Sequence, residues 1–112
     1  MAKKNPNNNI IQSVDQIDTS INSPTRLKIL IVLTAVVKAD FTFLARTTGL
    51  TRGNLSVNLR KLEEEGYVHI DKTFAGRVPR TLIELTAEGR AALKAHQENM
   101  QTILDALLEN LE

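Results

Sequence analysis

The sequence predicts a mainly α chain carrying one small β-hairpin, an α+β domain with helical segments at both ends. Three observations carry that prediction. Apolar residues recur at helical spacing along most of the chain. Stretches alternating with period two lie on either side of Gly76. Side chains that cap helices stand at Ser23, Asp40, Thr51 and Thr86, each ahead of a helical pattern. The 112 residues give room for one core.

Residues 1–9 are polar, with Pro6 among asparagines, and are expected to form a disordered arm. Ile10, Val14, Ile17 and Ile21 follow at i, i+4, i+7 and i+11, one stripe of a first helix. Ser23-Pro24 starts the second helix. The hydroxyl caps it, and proline takes the first helical position, where its missing N–H costs nothing. This helix should run to about Lys38. Leu27, Ile29, Leu30, Ile31, Val32, Leu33, Val36 and Val37 surround it, so burial on every side is expected. The domain itself supplies one side, and the first helix or a second subunit the other.

Asp40 caps a short helix from Phe41 to about Thr47, with Phe41, Leu44, Ala45 and Thr48 on one face. Phe43 lies opposite, packing on a neighbour or lining a small pocket. Gly49 supplies the left-handed residue that ends this helix, and Leu50 packs behind it. Thr51 then caps a helix from Arg52 to Glu65, stopped by Gly66. Helix, tight glycine turn and capped helix make the helix-turn-helix order. Tyr67 to Phe74 alternates as a strand, Ala75 to Pro79 is a turn segment, and Arg80 to Leu85 alternates again with Ile83 and Leu85 inward. Pro79 must sit at an edge or tip because it cannot donate to a ladder. Thr86 caps a last helix from Ala87 to near the end, about 25 residues and roughly 37 Å long.

Composition narrows the function. There are no cysteines, which removes disulfides, thiolate zinc sites and cysteine nucleophiles. His69 and His96 are far apart and read as ordinary surface or strand residues, so no metal is expected. Glu63, Glu64 and Glu65 are consecutive on a helix and point apart; no phosphate loop or Ser-His-Asp order appears, and no enzyme is expected. No cofactor is expected either. No apolar run approaches the roughly 20 residues of a membrane span, and the first residues lack an apolar signal core, so a cytoplasmic protein is expected. Net charge is only +1, but it is distributed unevenly. Arg52, Arg60, Lys61, Lys72, Arg77 and Arg80 crowd the middle, partly offset by Glu63, Glu64, Glu65 and Asp71; Asp105, Glu109 and Glu112 follow at the end. A basic middle and an acidic end suit a protein that meets a polyanion on one face.

With Leu55, Leu59 and Leu62 facing the core, the outward positions of the Arg52–Glu65 helix are Gly53, Asn54, Ser56, Val57, Arg60, Lys61 and Glu64. That face is short, polar and mostly basic, suited to a groove about 12 Å wide. Arg60 has the fork to pair with guanine, Asn54 the amide to pair with adenine, and Val57 the methyls to touch thymine. Arg52 and the backbone after Thr51 suit phosphate. In the hairpin, Lys72, Arg77 and Arg80 are placed to lie along phosphates or enter a minor groove. The blander account is a solvated face with i, i+4 pairs Arg60–Glu64 and Lys61–Glu65, and hairpin charges that protect strand edges.

Four segments resemble the winged helix-turn-helix transcriptional regulators of the MarR and ArsR types: Ser23-Pro24-Thr25-Arg26-Leu27-Lys28-Ile29-Leu30, Gly53 through Glu63, Gly66-Tyr67-Val68, and Leu85-Thr86-Ala87-Glu88-Gly89-Arg90. The resemblance covers the chain from about Ile10 onward. It implies a winged-helix DNA-binding domain over 10–86 and a dimerisation helix over 87–112. It further implies a homodimer on double-stranded DNA, with one helix in the major groove and the hairpin, the wing, near the minor groove. The apolar positions at the two ends are expected at the dimer surface: Ile10, Val14 and Ile17 from the first helix, and Met100, Ile103, Leu104, Leu107, Leu108 and Leu111 from the last. Packing of these stripes within one chain is the alternative. A protein-binding adaptor is the rival function, and it would call for an acidic or apolar outward face. Metal sensing, found in ArsR-type regulators through Cys and His, lacks its cysteines here. No site for a small-molecule effector is legible.

Overall fold

A computed structural model describes residues 8–112. Most of the expected arm, residues 1–7, lies outside the described residues. The elements run α1 (Asn8–Asp15), α2 (Pro24–Thr34), β1 (Ala39–Asp40), α3 (Phe41–Thr48), α4 (Arg52–Glu64), β2 (Val68–Ala75), β3 (Val78–Leu85) and α5 (Ala87–Leu111).

The four expected caps are in place. Ser23 Oγ accepts from Arg26 N, Asp40 Oδ1 from Phe43 N, Thr51 Oγ1 from Asn54 N, and Thr86 Oγ1 from Gly89 N. Each satisfies a donor that the first helical turn leaves orphaned. Gly49 ends α3 at φ 74°, a left-handed conformation that a Cβ would oppose, and turns the chain into α4.

Three expectations change. The first helix stops at Asp15, and Ile17 and Ile21 lie in the segment after it. Asp18 breaks the stripe because its Oδ1 accepts from the N–H groups of Ser20 and Ile21. Ile21 still reaches the core, wholly buried from the turn rather than from a helix. Second, α2 ends at Thr34, not near Lys38, and Ala39–Asp40 pair with Ile83 and Leu82 as a third strand. Third, α2 is not buried all round. Ile29, Leu30 and Leu33 are buried, while Ile31 remains 63 % exposed.

The sheet is antiparallel in the order β1-β3-β2. β2 and β3 pair from Val68↔Leu85 to Ala75↔Val78, leaving only Gly76 and Arg77 to turn. Only Gly76 of that pair has positive φ, at 65°, the requirement of a type II′ turn with glycine first. Strand β3 therefore starts earlier than expected and includes Pro79. The proline lies beyond the short β1, where the outer edge of β3 is free, so its missing N–H breaks no ladder.

One core holds the domain together. Ile21, Ile29, Leu30 and Leu33 meet Leu44, the α4 residues Leu55, Leu59 and Leu62, and the sheet residues Ala39, Val68, Ile83 and Leu85. Each fully buried leucine or isoleucine contributes about 1.5–3 kcal/mol relative to exposure. α1 packs along α5, where Asn99 Nδ2 donates to Ser13 O at 2.8 Å. Among the described residues no helix is long and apolar enough to cross a membrane.

Candidate nucleic-acid interface

The inner stripe of α4 is tied down, so its other side is turned to solvent. Leu55, Leu59 and Leu62 are buried, whereas Arg52, Gly53, Asn54, Ser56, Val57, Arg60 and Lys61 are exposed, as is the cap Thr51. Val57 stands 55 % exposed in the middle of this face, apolar surface set among polar neighbours. Neither Arg60–Glu64 nor Lys61–Glu65 forms an ion pair among the described residues. Among the described residues the two cations carry no neutralising partner.

The hairpin brings a second basic element beside the first. Lys72, Arg77 and Arg80 are all exposed, with Arg77 in the two-residue turn. A cleft of about 600 Å³ separates α4 from the hairpin, with Arg52, Ser56 and Arg60 on one wall and Lys72 and Thr81 on the other. A smaller one of about 380 Å³ lies between the start of α3 and the hairpin, bordered by Phe41, Pro79 and Arg80.

Two of the arginines have intramolecular contacts. Arg52 lies over the Phe41 ring, its Cζ 4.7 Å from the centroid, and reaches Thr42 Oγ1 at 3.5 Å. Stacking of this kind contributes about 0.5–1 kcal/mol at an exposed site. It orients the guanidinium beside the first turn of α4 while leaving its edge open. Arg80 Nη2 stands 3.8 Å from Asp40 Oδ2, both side chains substantially solvated. Such a pair is worth little and yields readily to a phosphate. Phe43 is exposed on the far side of α3.

One polar residue under this face has no counterpart in the sequence reading. Asn58 is buried on the inner side of α4, 7 % exposed. Its Oδ1 accepts from Arg26 Nη1 at 3.0 Å, and its Nδ2 donates to Asn54 O at 2.8 Å and Asn54 Oδ1 at 2.7 Å. Arg26 also donates to Ser20 O and Thr19 O, which fastens the segment before α2 to α4. The signal was an amide at i+3 from Leu55 and i−4 from Leu62, inside an otherwise apolar stripe.

At the other end of the molecule the apolar positions divide. Ile103 is buried and Ile10, Ile17 and Met100 are partly buried. Val14, Leu104, Leu107, Leu108 and Leu111 are exposed, by 46, 53, 48, 58 and 80 %. Packing within the chain thus covers one side of the terminal helices and leaves a leucine-rich strip open. His96, expected as an ordinary surface residue, is 9 % exposed, and its buried Nδ1 has no hydrogen-bond partner among the described residues. It borders a cleft of about 370 Å³ with Gln16, Asp18, Tyr67 and Asn99. Among the described residues no group of three or more His, Asp or Glu side chains is placed to hold a metal ion.

Residues 25–104 match the family described as winged helix DNA-binding domain. An uncharacterized protein of Methanocaldococcus jannaschii is 43 % identical over 74 residues, 65 % of this chain and 79 % of that one. A solved transcriptional regulator homologue from Pyrococcus horikoshii OT3 is 32 % identical, covering 88 % of this chain and 96 % of its own, with a TM-score of 0.78. The transcriptional repressor CouR, solved on a 23-mer DNA duplex, shares the fold at 24 % identity and a TM-score of 0.69, over 92 % of this chain and 70 % of its own.

Proposed function

The chain belongs to the winged helix DNA-binding domain family, and from that premise we propose that it is a homodimer reading a pseudo-palindromic duplex operator. The family is described as a DNA-binding domain, and the structural relatives named above are a transcriptional regulator homologue and a transcriptional repressor, which supports a role in transcriptional regulation. Sequence specificity and the two-fold assembly are the proposed parts.

The observation that carries the reading is the free side of α4. A helix held by Leu55, Leu59 and Leu62 offers Asn54, Ser56, Val57 and Arg60 outward, with no other described part of the chain over them. Its width suits a major groove, and its residues are of the types that contact base edges. Arg52 and the capped first turn are suited to phosphate. The exposed Arg77 and Lys72 extend the basic surface toward the neighbouring groove. The neighbour solved on duplex DNA supports the same use of this fold.

The two-fold assembly is supported by the open leucine strip. α5 is 25 residues long, and the molecule extends 70 Å by 24 Å by 21 Å, so its far end projects from the core. A contiguous apolar strip on a projecting helix calls for a partner, and a second copy brings a matching strip. Two copies would place recognition helices in successive major grooves about 10 base pairs apart.

Selection of bound sites from random duplex DNA tests the reading. The expected outcome is an inverted repeat with half-sites one helical turn apart. Enrichment of no motif at low salt would overturn it in favour of a protein-binding adaptor.

A further inference from the structure

Resting on the DNA reading above, we propose that Arg26 and Asn58 are positioning residues that set which base edge Asn54 reads, by turning its amide so that the NH2 group faces outward.

The chemistry of the chain of contacts fixes every amide in it. A guanidinium only donates, so the Asn58 atom 3.0 Å from Arg26 Nη1 is the oxygen. Its NH2 group then points the other way, into α4. That group only donates, and the Asn54 side-chain atom it meets at 2.7 Å is therefore Oδ1. The Asn54 NH2 group is left on the solvent side of α4's first turn, where the residue is exposed. Arg26 itself is anchored by the carbonyls of Thr19 and Ser20. Asn58 is buried with all of its polar atoms engaged, so reversing its amide would leave two donors facing each other at Arg26.

Asn54 consequently presents a donor. It matches base-edge acceptors, guanine O6 and N7, thymine O4 or adenine N7, and mismatches cytosine, whose N4 group only donates. This differs from the two-point pairing with adenine, which needs Oδ1 and the NH2 group turned to the base together, whereas here Oδ1 is directed inward onto Asn58.

Substitution of Asn58 by aspartate keeps the side chain's shape and reverses its polarity toward the Asn54 amide, at the loss of its hydrogen bond to the Asn54 carbonyl. One carboxylate oxygen keeps the contact with Arg26. The other faces both oxygens of Asn54: the side-chain amide turns over to donate to it and exposes its own oxygen, while the backbone carbonyl cannot turn, so the exchange also costs stability. Binding-site selection is run with the wild type, with Asn54→Ala and with Asn58→Asp, each checked for native helicity. Asn54→Ala identifies the position read by Asn54, where preference should drop by about fivefold. At that position Asn58→Asp should lose guanine or thymine, which offer only acceptors, and gain cytosine, which offers only a donor, leaving the other positions unchanged. An unchanged preference in Asn58→Asp, or no affected position in Asn54→Ala, overturns the proposal. A wild type that enriches no motif sinks the DNA reading instead. The amide orientation is still decided in that case, and also if Asn58→Asp fails to fold, by side-chain amide NMR of the wild type. The Asn58 NH2 should exchange slowly and that of Asn54 at the solvent rate; the reverse order overturns the proposal.

Discussion

Gly89, in the first turn of α5, lies against the carbonyl of Tyr67 so closely that a Cβ there would overlap the carbonyl oxygen and stand 2.8 Å from Leu85 Cδ1. Two of the segments that carry the family resemblance meet at this point. Thr86 N donates to Tyr67 O at 3.0 Å, and Thr86 Oγ1 donates to Gly66 O at 2.6 Å. The turn after α4 and the start of α5 are thereby stitched backbone to backbone, which fixes where α5 leaves the DNA-binding unit.

Gly89→Ala tests that stitch by its sign. In an exposed helix interior the change would stabilise by about 1 kcal/mol. Here the overlap is with backbone and cannot be relieved by a rotamer, so a loss of about 1–3 kcal/mol is expected. Denaturant unfolding measures it, and a gain in stability would contradict the packing.

Tyr67 provides a pH prediction. Its hydroxyl donates to Asp18 Oδ2. That hydrogen bond first, then burial and the charges of Asp18 and Glu65, push the phenol from 10.0 to about 12. A raised folded pKa means the contribution to stability is complete below the unfolded value and lost as pH climbs from 10 toward 12. Tyr67 is the only tyrosine and there is no tryptophan, so phenolate absorbance reports it alone. The folded protein should ionise well above the ordinary tyrosine range, and a midpoint near 10 would contradict the contact.

On the DNA face, Arg60→Ala should lose discrimination at one base position by about 1–3 kcal/mol. Arg77→Ala should weaken all sequences evenly and reduce the salt slope by about 1. If each subunit neutralises ~4 phosphates, the wild-type dimer's log affinity falls against log salt with a slope of about −7. Competition binding at several salt concentrations separates the two classes of contact.

The leucine strip predicts the assembly. Leu104→Asp combined with Leu108→Asp places charges on residues now 53 and 58 % exposed, so the fold of one chain should survive. Sedimentation should show a dimer for the wild type and a monomer for the variant, with operator affinity reduced at least tenfold, about 1.4 kcal/mol. A wild type that stays monomeric at micromolar concentration would contradict this.

Local chemistry was the legible part of the chain. Caps at Ser23, Asp40, Thr51 and Thr86, and left-handed Gly49 and Gly76, are decided within a few residues, and the elements begin or turn where these stand. The face of α4 was legible because Leu55, Leu59 and Leu62 determine its inward side. What escaped depends on distant partners. Ala39 and Asp40 have no strand pattern of their own and become β1 only because β3 offers an edge. The spacing of Ile17 and Ile21 fits a helix, but Asp18 captures two backbone N–H groups and turns the chain first. Asn58 reads as one more polar helix residue until Arg26, 32 positions away, is placed against it.

The central claim is that the solvent side of α4 is the surface that meets DNA. Backbone amide NMR of the protein titrated with its selected duplex tests it most directly. Shifts should concentrate on Thr51 to Lys61 and on Gly76 and Arg77, with Leu104 to Leu111 unaffected. Shifts confined to α1 and α5, or absent from α4, would contradict it.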